Sequence, residues 1–173
     1  MTTRTLLPQT IATARLTLRP PRVSDLADLV AEANNWKVLE PTASLPFPYE
    51  DQHGRAFVEK TARESHHPYV ITESQGDRLL GVIGLYFYDD RPVELGYWLG
   101  ERHWGRGFAP EAVQGLLGAA KAIGLVPIRA RVLAHSTGSI RVLEKSGFAL
   151  VEETVSVVER HRGKALLVME WRA

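Results

Sequence analysis

The segment Arg102-His103-Trp104-Gly105-Arg106-Gly107-Phe108-Ala109-Pro110-Glu111-Ala112 lies between a strand-like run and a pattern typical of a helix. Two glycines two residues apart allow a tight turn and a close approach of the backbone to a ligand. Pro110 is predicted at the first helical position, and Glu111 favours the positive end of the helix dipole. The N–H groups of such a turn converge at the helix start and form an anion site, to which Arg102 and Arg106 add positive charge. The sequence therefore predicts a site for a phosphate or pyrophosphate.

The spacing of the glycines distinguishes this segment from other phosphate-binding loops. A plain strand-to-helix turn with solvated arginines would otherwise explain it equally well. It lacks the G-x-G-x-x-G of dinucleotide sites and the Gly-Lys-Ser/Thr ending of the P-loop. As Arg102-x-x-Gly105-x-Gly107 it resembles the acyl-CoA pyrophosphate loop of the GNAT family of N-acetyltransferases. The longer run from Trp104 to Ala112 is similar to the branch that contains the ribosomal-protein N-terminal acetyltransferases.

Length and composition favour one globular domain, assigned to residues 1–173. The chain has 173 residues, of which 45% are apolar and 24% charged, as is ordinary for a soluble fold. The net charge of +1 disfavours nucleic acid as a partner, because that needs a strongly basic face. Residues 101–150 nevertheless hold seven Lys/Arg against three Glu, which suits a small anionic ligand.

Several classes of site and compartment are disfavoured by what the sequence lacks. Without cysteine the chain has no disulfide, no thiol nucleophile and no thiolate metal site. Residues 1–10 have no signal-peptide core, and no run approaches the length of a membrane span, so we expect a cytoplasmic protein with no membrane partner. His66, His67 and His161 have no carboxylate or cysteine at metal-ligand spacing, so no metal is expected.

Apolar periodicity predicts an α/β fold with a mixed, mostly antiparallel sheet of about seven strands and about four helices. The helix after the glycine loop is predicted to be a crossover that makes the strands on either side of it parallel. Bulges are predicted at Gly81, Gly84 and Gly96. The predicted strands are Arg15–Arg19, Pro68–Thr72, Leu79–Tyr88, Val93–Leu99, Ile128–Leu133, Phe148–Val158 and Ala165–Trp171. The predicted helices begin near Ser24 or Asp25, cover Asp51–Ser65, follow the glycine loop to Ile123, and cover Thr137–Ser146.

Further runs, in the family's order, extend the resemblance over nearly the whole chain. Arg15-Leu-Thr-Leu-Arg19 is similar to the family's opening strand, and Leu45-Pro-Phe-Pro-Tyr49 to its proline-aromatic loop. Glu94–Leu99 resembles its fourth strand, and Ser139-Ile-Arg-Val-Leu-Glu-Lys-Ser-Gly-Phe148 the segment after its fifth. In the family these two strands splay apart and acyl-CoA enters the gap, so acetyl-CoA is the implied cosubstrate. One departure is Ser136, where the family usually has Asn; this serine is still expected to cap the helix.

The resemblance also implies which residues surround the cofactor. A free backbone N–H on the fourth strand would bond the thioester carbonyl and its developing negative charge. Arg141 and Lys145 would meet the 3′-phosphate, with solvated surface charge as the alternative. The full implied set is Tyr97, Trp98, Leu99, Arg102, Gly105, Arg106, Gly107, Phe108, Ala109, Ser136, Ser139, Arg141 and Lys145.

Acyl transfer to an amine needs a base for the amine proton and a proton for the leaving thiolate. Glu94 is the first candidate for the base, because it lies on the strand that borders the gap; a surface ion pair is the alternative. His135 is the second, since it follows the implied fifth strand and histidine titrates near neutrality; a solvated loop histidine is the alternative. Ser139 matches the family's serine and would donate to the sulfur, alongside or instead of bonding the backbone.

These features predict an acetyl-CoA-dependent N-acetyltransferase with a primary amine as acceptor, working as a monomer or homodimer. Trp36, Phe47 and Tyr49 are predicted to line the acceptor side, with packing on the core as the alternative. The acceptor is predicted to be a protein N-terminal α-amine; an amino acid, a polyamine or an aminoglycoside is the alternative. A non-catalytic acyl-CoA sensor on the same fold is the competing function. A nucleotide-dependent enzyme ranks last, because both nucleotide signatures are missing.

Overall fold

A computed structural model describes residues 6–60 and 66–173, and in these residues eight strands form one sheet that is flanked by five α-helices. The strands are β1 Ile11–Ala12, β2 Leu16–Arg19, β3 His66–Glu73, β4 Leu79–Tyr86, β5 Val93–Leu99, β6 Ile128–Leu133, β7 Ala149–Val155 and β8 Ala165–Trp171. The helices are α1 Leu26–Ala33, α2 Trp36–Leu39, α3 Asp51–Glu59, α4 Phe108–Ala122 and α5 Thr137–Lys145.

The sheet is mixed and mostly antiparallel, which confirms the predicted fold class. Its strand order is β1-β2-β3-β4-β5-β6-β8-β7. In the described sheet only β5 and β6 run parallel, because α4 connects them as a crossover. The two elements beyond the predicted count are β1, with two residues, and α2, with four. Both are too short to produce a periodic pattern in the sequence.

Some boundaries differ from those predicted. The predicted helix Asp51–Ser65 is observed as α3 up to Glu59, and its last five positions, 61–65, lie outside the described residues. Pro110 is the third residue of α4 rather than the first, because the helix begins at Phe108. Proline is tolerated there, since N–H groups in the first helical turn have no partner within the helix.

Only one of the three predicted bulges is observed in the described strands. The register of β3 with β4 shifts between Ile71 and Thr72, which leaves an extra residue next to Gly81. The pairing is continuous at Gly84 and Gly96, so the bulges predicted there are wrong. Gly96 instead leaves room for a neighbouring ring, because a Cβ there would lie 3.0 Å from a carbon of the Tyr86 ring.

The largest apolar cluster lies between the sheet and α4. The helix contributes one buried stripe, and it packs on side chains of β2, β4, β5 and β6. Two smaller clusters pack near α1 and α3, and Trp98 of β5 is packed against both of them. Successive side chains of β5 alternate between the face covered by the largest cluster and the face covered by the two smaller clusters. Because Glu94 and Trp98 are four residues apart, they lie on the same face. The buried stripe consists of Phe108, Ala112, Val113, Leu116, Leu117 and Ala120.

A buried ion pair joins β2 to the start of α1. The Arg19 guanidinium is 3% exposed and donates two hydrogen bonds to Asp25, of 2.8 and 2.9 Å. Its Nε donates a third to Asp77 in the β3–β4 turn, at 2.7 Å. The hydrogen bond to Asp25 is the largest influence on Arg19 and raises its pKa. Three segments of the chain therefore meet at one guanidinium.

Replacing Arg19 with methionine is expected to lower the free energy of unfolding by about 3–5 kcal/mol, because it leaves the Asp25 carboxylate buried without its partner. Chemical denaturation measures this change. Arg22→Met is the matched control: its guanidinium pairs with the same Asp77 but is largely exposed, so the expected loss is below about 1 kcal/mol. Equal losses in the two variants would contradict the assignment.

Candidate active site

The site is built around a gap between β5 and β6. These two parallel strands pair only at Val93 with Ile128 and at Glu94 with Arg129. Beyond those pairs β5 stays hydrogen-bonded to β4 along its length, and β6 to β8. The predicted splaying of the two strands is thus observed, and it begins after their second residue pair.

The backbone of β5 presents hydrogen-bond donors to this gap. The N–H of Gly100 donates to the carbonyl of Leu80, at 2.9 Å, so its side of the strand faces β4. Because the direction alternates along a strand, Trp98 and Gly96 also face β4, whereas Tyr97 and Leu99 face the gap. The Leu99 carbonyl accepts a hydrogen bond from the Trp104 indole at 2.9 Å. The predicted contact of the Trp98 backbone with a cofactor therefore does not fit the register.

The glycine loop follows directly at the open end of the gap. Gly105 and Gly107 have left-handed backbones, with φ of +71° and +77°, and α4 begins at Phe108. The N-cap residue of this helix is Gly107, which has no side chain to cap it. A Cβ at Gly105 would meet no atom within 4 Å, so the outer side of the turn is open. The N–H groups of Phe108 and Ala109 precede the first intrahelical hydrogen bond and remain free for an anion.

The two arginines of the loop have different surroundings. Arg102 donates its Nε to Glu32 of α1 at 2.7 Å, and its Nη2 contacts the same oxygen. Glu32 is buried, and its Oε1 also lies 3.1 Å from Nε2 of His103. Sequence reasoning missed this histidine. Arg102 thus anchors the loop to α1, and its direct contact with a phosphate stays a prediction. Arg106 lies over the Phe108 ring, 4.7 Å from its centroid.

Glu94 is the carboxylate nearest the point where the strands part. Its Oε1 accepts from Arg131 Nε at 2.9 Å and lies 3.8 Å from Arg91 Nε. Both arginine contacts are to the same oxygen. The side chain is only 13% exposed. The two arginines therefore orient the Glu94 carboxylate through Oε1, the oxygen on which both of these contacts fall.

Ser139 lies on α5, beside the Tyr97 side chain of β5. The Tyr97 hydroxyl is buried and has no partner at hydrogen-bond geometry in the described residues, although it faces the Ser139 hydroxyl. Burial raises the pKa of Tyr97 to about 12, and the nearby Ser139 opposes this in part. Ser136 occupies the position before α5, yet its side chain makes no capping hydrogen bond, so that expectation was wrong.

His135 lies near the predicted acceptor loop. Its Nε2 is 3.5 Å from Glu40 Oε2, and Lys164 donates to the other Glu40 oxygen at 2.8 Å. The hydrogen bond from Lys164 is the main cause that lowers the pKa of Glu40, with burial opposing it and His135 adding a smaller effect. His135 therefore belongs to an ion-pair cluster, while Glu94 pairs with arginines on β6 and the β4–β5 turn.

Two of the three predicted acceptor residues form an exposed wall. The rings of Trp36 and Phe47 meet edge to face at 5.3 Å, and each residue is 49% exposed. Tyr49 is buried beside Ala33 and Leu39, which fits the alternative of packing on the core, and its contact with an acceptor stays a prediction.

Arg160 holds this wall in place, and sequence reasoning missed it. Its guanidinium donates to the carbonyls of Leu39, Thr42 and Leu45, at 2.9, 3.2 and 2.5 Å. These carbonyls are more than a hundred residues away in sequence. The neighbouring His161 ring also contacts the Glu40 carbonyl. The β7–β8 connection therefore fixes the shape of the segment that bears Phe47.

A family model for the acetyltransferase (GNAT) domain matches residues 15–149. The chain belongs to the GNAT family. An uncharacterized N-acetyltransferase, p20 of Bacillus licheniformis, is 31% identical over 149 residues, which cover 81% of this chain and 82% of that protein. The protein is accordingly an acetyl-CoA-dependent N-acetyltransferase, as the sequence predicted.

Solved GNAT structures share the fold. An acetyltransferase from Bacillus anthracis has a TM-score of 0.81 at 20% identity, covering 93% of this chain and 96% of that chain. The microcin C7 self-immunity acetyltransferase MccE, in complex with acetyl-CoA and AMP, has a TM-score of 0.82 at 18% identity, covering 97% and 98%. Spermidine N-acetyltransferase from Vibrio cholerae, in complex with CoA and spermine, has a TM-score of 0.74 at 22% identity, covering 90% and 94%.

The described residues of this GNAT chain offer neither a cluster of metal ligands nor a helix of membrane-spanning length. Residues 6–60 and 66–173 contain no group of three or more His, Asp or Glu that could hold a metal ion. Over the same ranges, no helix is both long and apolar enough to cross a membrane. Arg141 and Lys145 are exposed on α5, and their contact with the 3′-phosphate stays a prediction.

The glycine loop can be tested with two matched alanine variants of this GNAT enzyme. Gly105 and Gly124 have φ of +71° and +72°, and a Cβ meets no atom within 4 Å at either position. The backbone strain of Gly→Ala is therefore similar, on the order of 1–2 kcal/mol. Only Gly105→Ala is expected to weaken CoA binding, because only Gly105 lies in the glycine loop. The expected loss is about tenfold or more, and one factor of ten corresponds to about 1.4 kcal/mol.

Isothermal titration with CoA measures both affinities, and thermal unfolding checks that the two variants lose similar stability. Equal CoA affinity in Gly105→Ala and Gly124→Ala would remove the loop from the cofactor site.

Proposed function

We propose that this enzyme transfers the acetyl group of acetyl-CoA to the α-amine of a small acceptor by direct attack of the amine on the thioester. The observation that carries the proposal is the gap between β5 and β6. Its wall offers the N–H groups of Tyr97 and Leu99, and its open end leads to the glycine loop. A thioester in the gap would direct its carbonyl oxygen to one of these donors, which would stabilise the negative charge that develops in the transition state. No covalent enzyme intermediate is needed, in keeping with the lack of cysteine.

Glu94 is proposed as the group that receives the amine proton, directly or through a water. Arg131 and Arg91 both contact its Oε1, and they hold the carboxylate in one orientation. Oε2 is then available to the proton that leaves the amine. His135 is the alternative, but its partner Glu40 holds it within the cluster that includes Lys164.

Ser139 is proposed to donate a hydrogen bond to the departing thiolate, which stabilises its negative charge; the serine keeps its proton, and the thiolate takes one from water. Ser139 is the third residue of α5, and its half-buried side chain lies beside the Tyr97 hydroxyl of β5.

The charges around the gap favour an acceptor without extra positive charges. Three carboxylates on this side are each paired with at least one cationic side chain. They are Glu94 with Arg91 and Arg131, Glu40 with Lys164, and Glu170 with Arg129 and Arg172. A polyamine would need unpaired carboxylates to receive its further amines. An amine that carries a carboxylate, such as a free amino acid, suits the surplus of cations better.

The amine itself is proposed to be an α-amine. Its pKa of ~8 compares with ~10.4 for a lysine side chain, and the difference of ~2.4 units is worth ~3 kcal/mol at neutral pH. The neutral amine that attacks the thioester is thus easier to form. The N-terminal amine of a protein, which the sequence branch predicts, has the same advantage and stays a candidate.

Ser139→Ala is expected to lower kcat by about 10- to 100-fold while leaving the Kd for acetyl-CoA within about twofold, because the hydrogen bond to the sulfur gains strength only as the thiolate departs. Steady-state thiol release and titration calorimetry measure the two quantities. The matched control is Ser146→Ala on the same helix, whose hydroxyl only bonds the Val142 carbonyl, at 2.8 Å. An unchanged kcat in Ser139→Ala would leave that serine a structural role only.

The acceptor is identified by a panel of amino acids, N-terminal peptides, polyamines and aminoglycosides, assayed for thiol release at fixed acetyl-CoA. We expect amino acids to give the highest kcat/KM. Turnover of polyamines alone would contradict the charge argument. Binding of acetyl-CoA without turnover of any amine would favour a sensor.

A further inference from the structure

The carboxylate of Glu111 lies in the first turn of α4, where the anion site is proposed. A negative side chain at a helix start is favoured by the helix dipole. In this helix, however, the same positive end is also proposed to receive a pyrophosphate. An unpaired carboxylate there would repel the ligand, because like charges in a partly buried site are only weakly screened.

The β1–β2 turn holds this carboxylate with three hydrogen bonds. Thr13 Oγ1 and the backbone N–H of Arg15 donate to Glu111 Oε1, at 2.6 and 2.7 Å. Arg15 Nε donates to Oε2, at 2.7 Å. Although burial opposes it, these hydrogen bonds lower the pKa of Glu111. The carboxylate is therefore charged, turned toward β1–β2 and matched by one guanidinium.

The same guanidinium also reaches the loop itself. Arg15 Nη1 donates to the carbonyl of Arg106 at 3.0 Å, which turns that carbonyl toward β1–β2. The guanidinium carbon lies 4.6 Å from the centroid of the Phe108 ring. Its Nη2 would be 3.4 Å from a Cβ at Gly107. Arg15 thus borders the loop along three consecutive residues, 106 to 108.

We propose that Arg15 is a positioning residue of the acetyl-CoA site. By neutralising Glu111 and holding the Arg106 carbonyl, it leaves the loop and the start of α4 with N–H donors toward the pyrophosphate. The inference rests on the proposed placement of the pyrophosphate at the glycine loop. If Arg15 only linked the β1–β2 turn to α4, it would make the same contacts. The affinity for CoA would then not depend on the charge of Glu111.

The test measures the Kd of CoA for wild type, Arg15→Met, Glu111→Gln and the double variant by titration calorimetry. Arg15→Met is expected to weaken binding about tenfold, the scale of one partly screened charge pair. The double variant is expected to recover to within about threefold of wild type, because the unpaired negative charge is gone. Glu111→Gln alone is expected to bind CoA at least as tightly as wild type.

A phosphate-free donor separates charge from general loss of structure. With S-acetylpantetheine in place of acetyl-CoA, kcat/KM of Arg15→Met should equal that of wild type within about twofold, since this donor has no pyrophosphate to be repelled. Arg15→Lys should retain most of the CoA affinity, because it keeps the positive charge. Arg22→Met, which removes a guanidinium in an exposed pair with Asp77, is the control and should bind CoA like wild type.

Circular dichroism establishes that each variant is folded, and Arg15→Gln replaces Arg15→Met if the methionine variant is not. Unchanged CoA affinity in the neutral Arg15 variant would overturn the proposal. So would a loss that the Glu111→Gln change does not reverse, or an equal loss with S-acetylpantetheine. If Gly105→Ala also leaves CoA affinity unchanged, the placement of the pyrophosphate is wrong; if it weakens binding, only the role of Arg15 is wrong.

Discussion

The site depends on the early parting of β5 and β6, which share two residue pairs and then each follow a different neighbour. A buried backbone N–H needs a partner, and within a sheet the adjacent strand supplies it. Past Glu94 that strand is missing on one side of β5, so Tyr97 and Leu99 present unused donors. A ligand with amide and carbonyl groups, such as the pantetheine arm of CoA, can take the place of the absent strand. The fold thus creates a binding surface by leaving a sheet incomplete.

The charges of the site follow a common arrangement. Each carboxylate near the gap or the loop is held by cations from another segment: Glu111 by Arg15, Glu32 by Arg102, and Glu94 by Arg131. Unpaired positive groups and N–H donors remain for an anionic cosubstrate. This arrangement accounts for a basic site in a chain whose net charge is only +1.

Local patterns predicted the elements that carry the site. The strands Val93–Leu99 and Ile128–Leu133 and the helix after the glycine loop were predicted correctly, since alternation and helical periodicity are strong over six residues or more. The helix α5 ends at a glycine with a left-handed backbone: Gly147 has φ of +91°, and the N–H of Phe148 donates to the Leu143 carbonyl at 3.0 Å.

The contacts that fix the site could not be predicted from the sequence, because they join distant segments. Arg15 and Glu111 are 96 residues apart, and Arg160 reaches carbonyls near Leu39 across 121. Local patterns give no signal for such pairs. The burial of Tyr49 could not be predicted for a related reason: Phe47 and Pro48 beside it are exposed, and only the packing of α1 and α2 buries this ring.

The central claim is that acetyl-CoA lies in the gap with its pyrophosphate on the glycine loop. Amide NMR of isotope-labelled protein during titration with CoA tests it most directly. The account predicts the largest shifts at the amides of Gly105, Gly107, Phe108 and Ala109, followed by Tyr97 and Leu99. It would be contradicted if these amides stayed unchanged while those of another surface moved, such as the cleft lined by Ala31, Glu32, Asn35, Glu101 and Arg102.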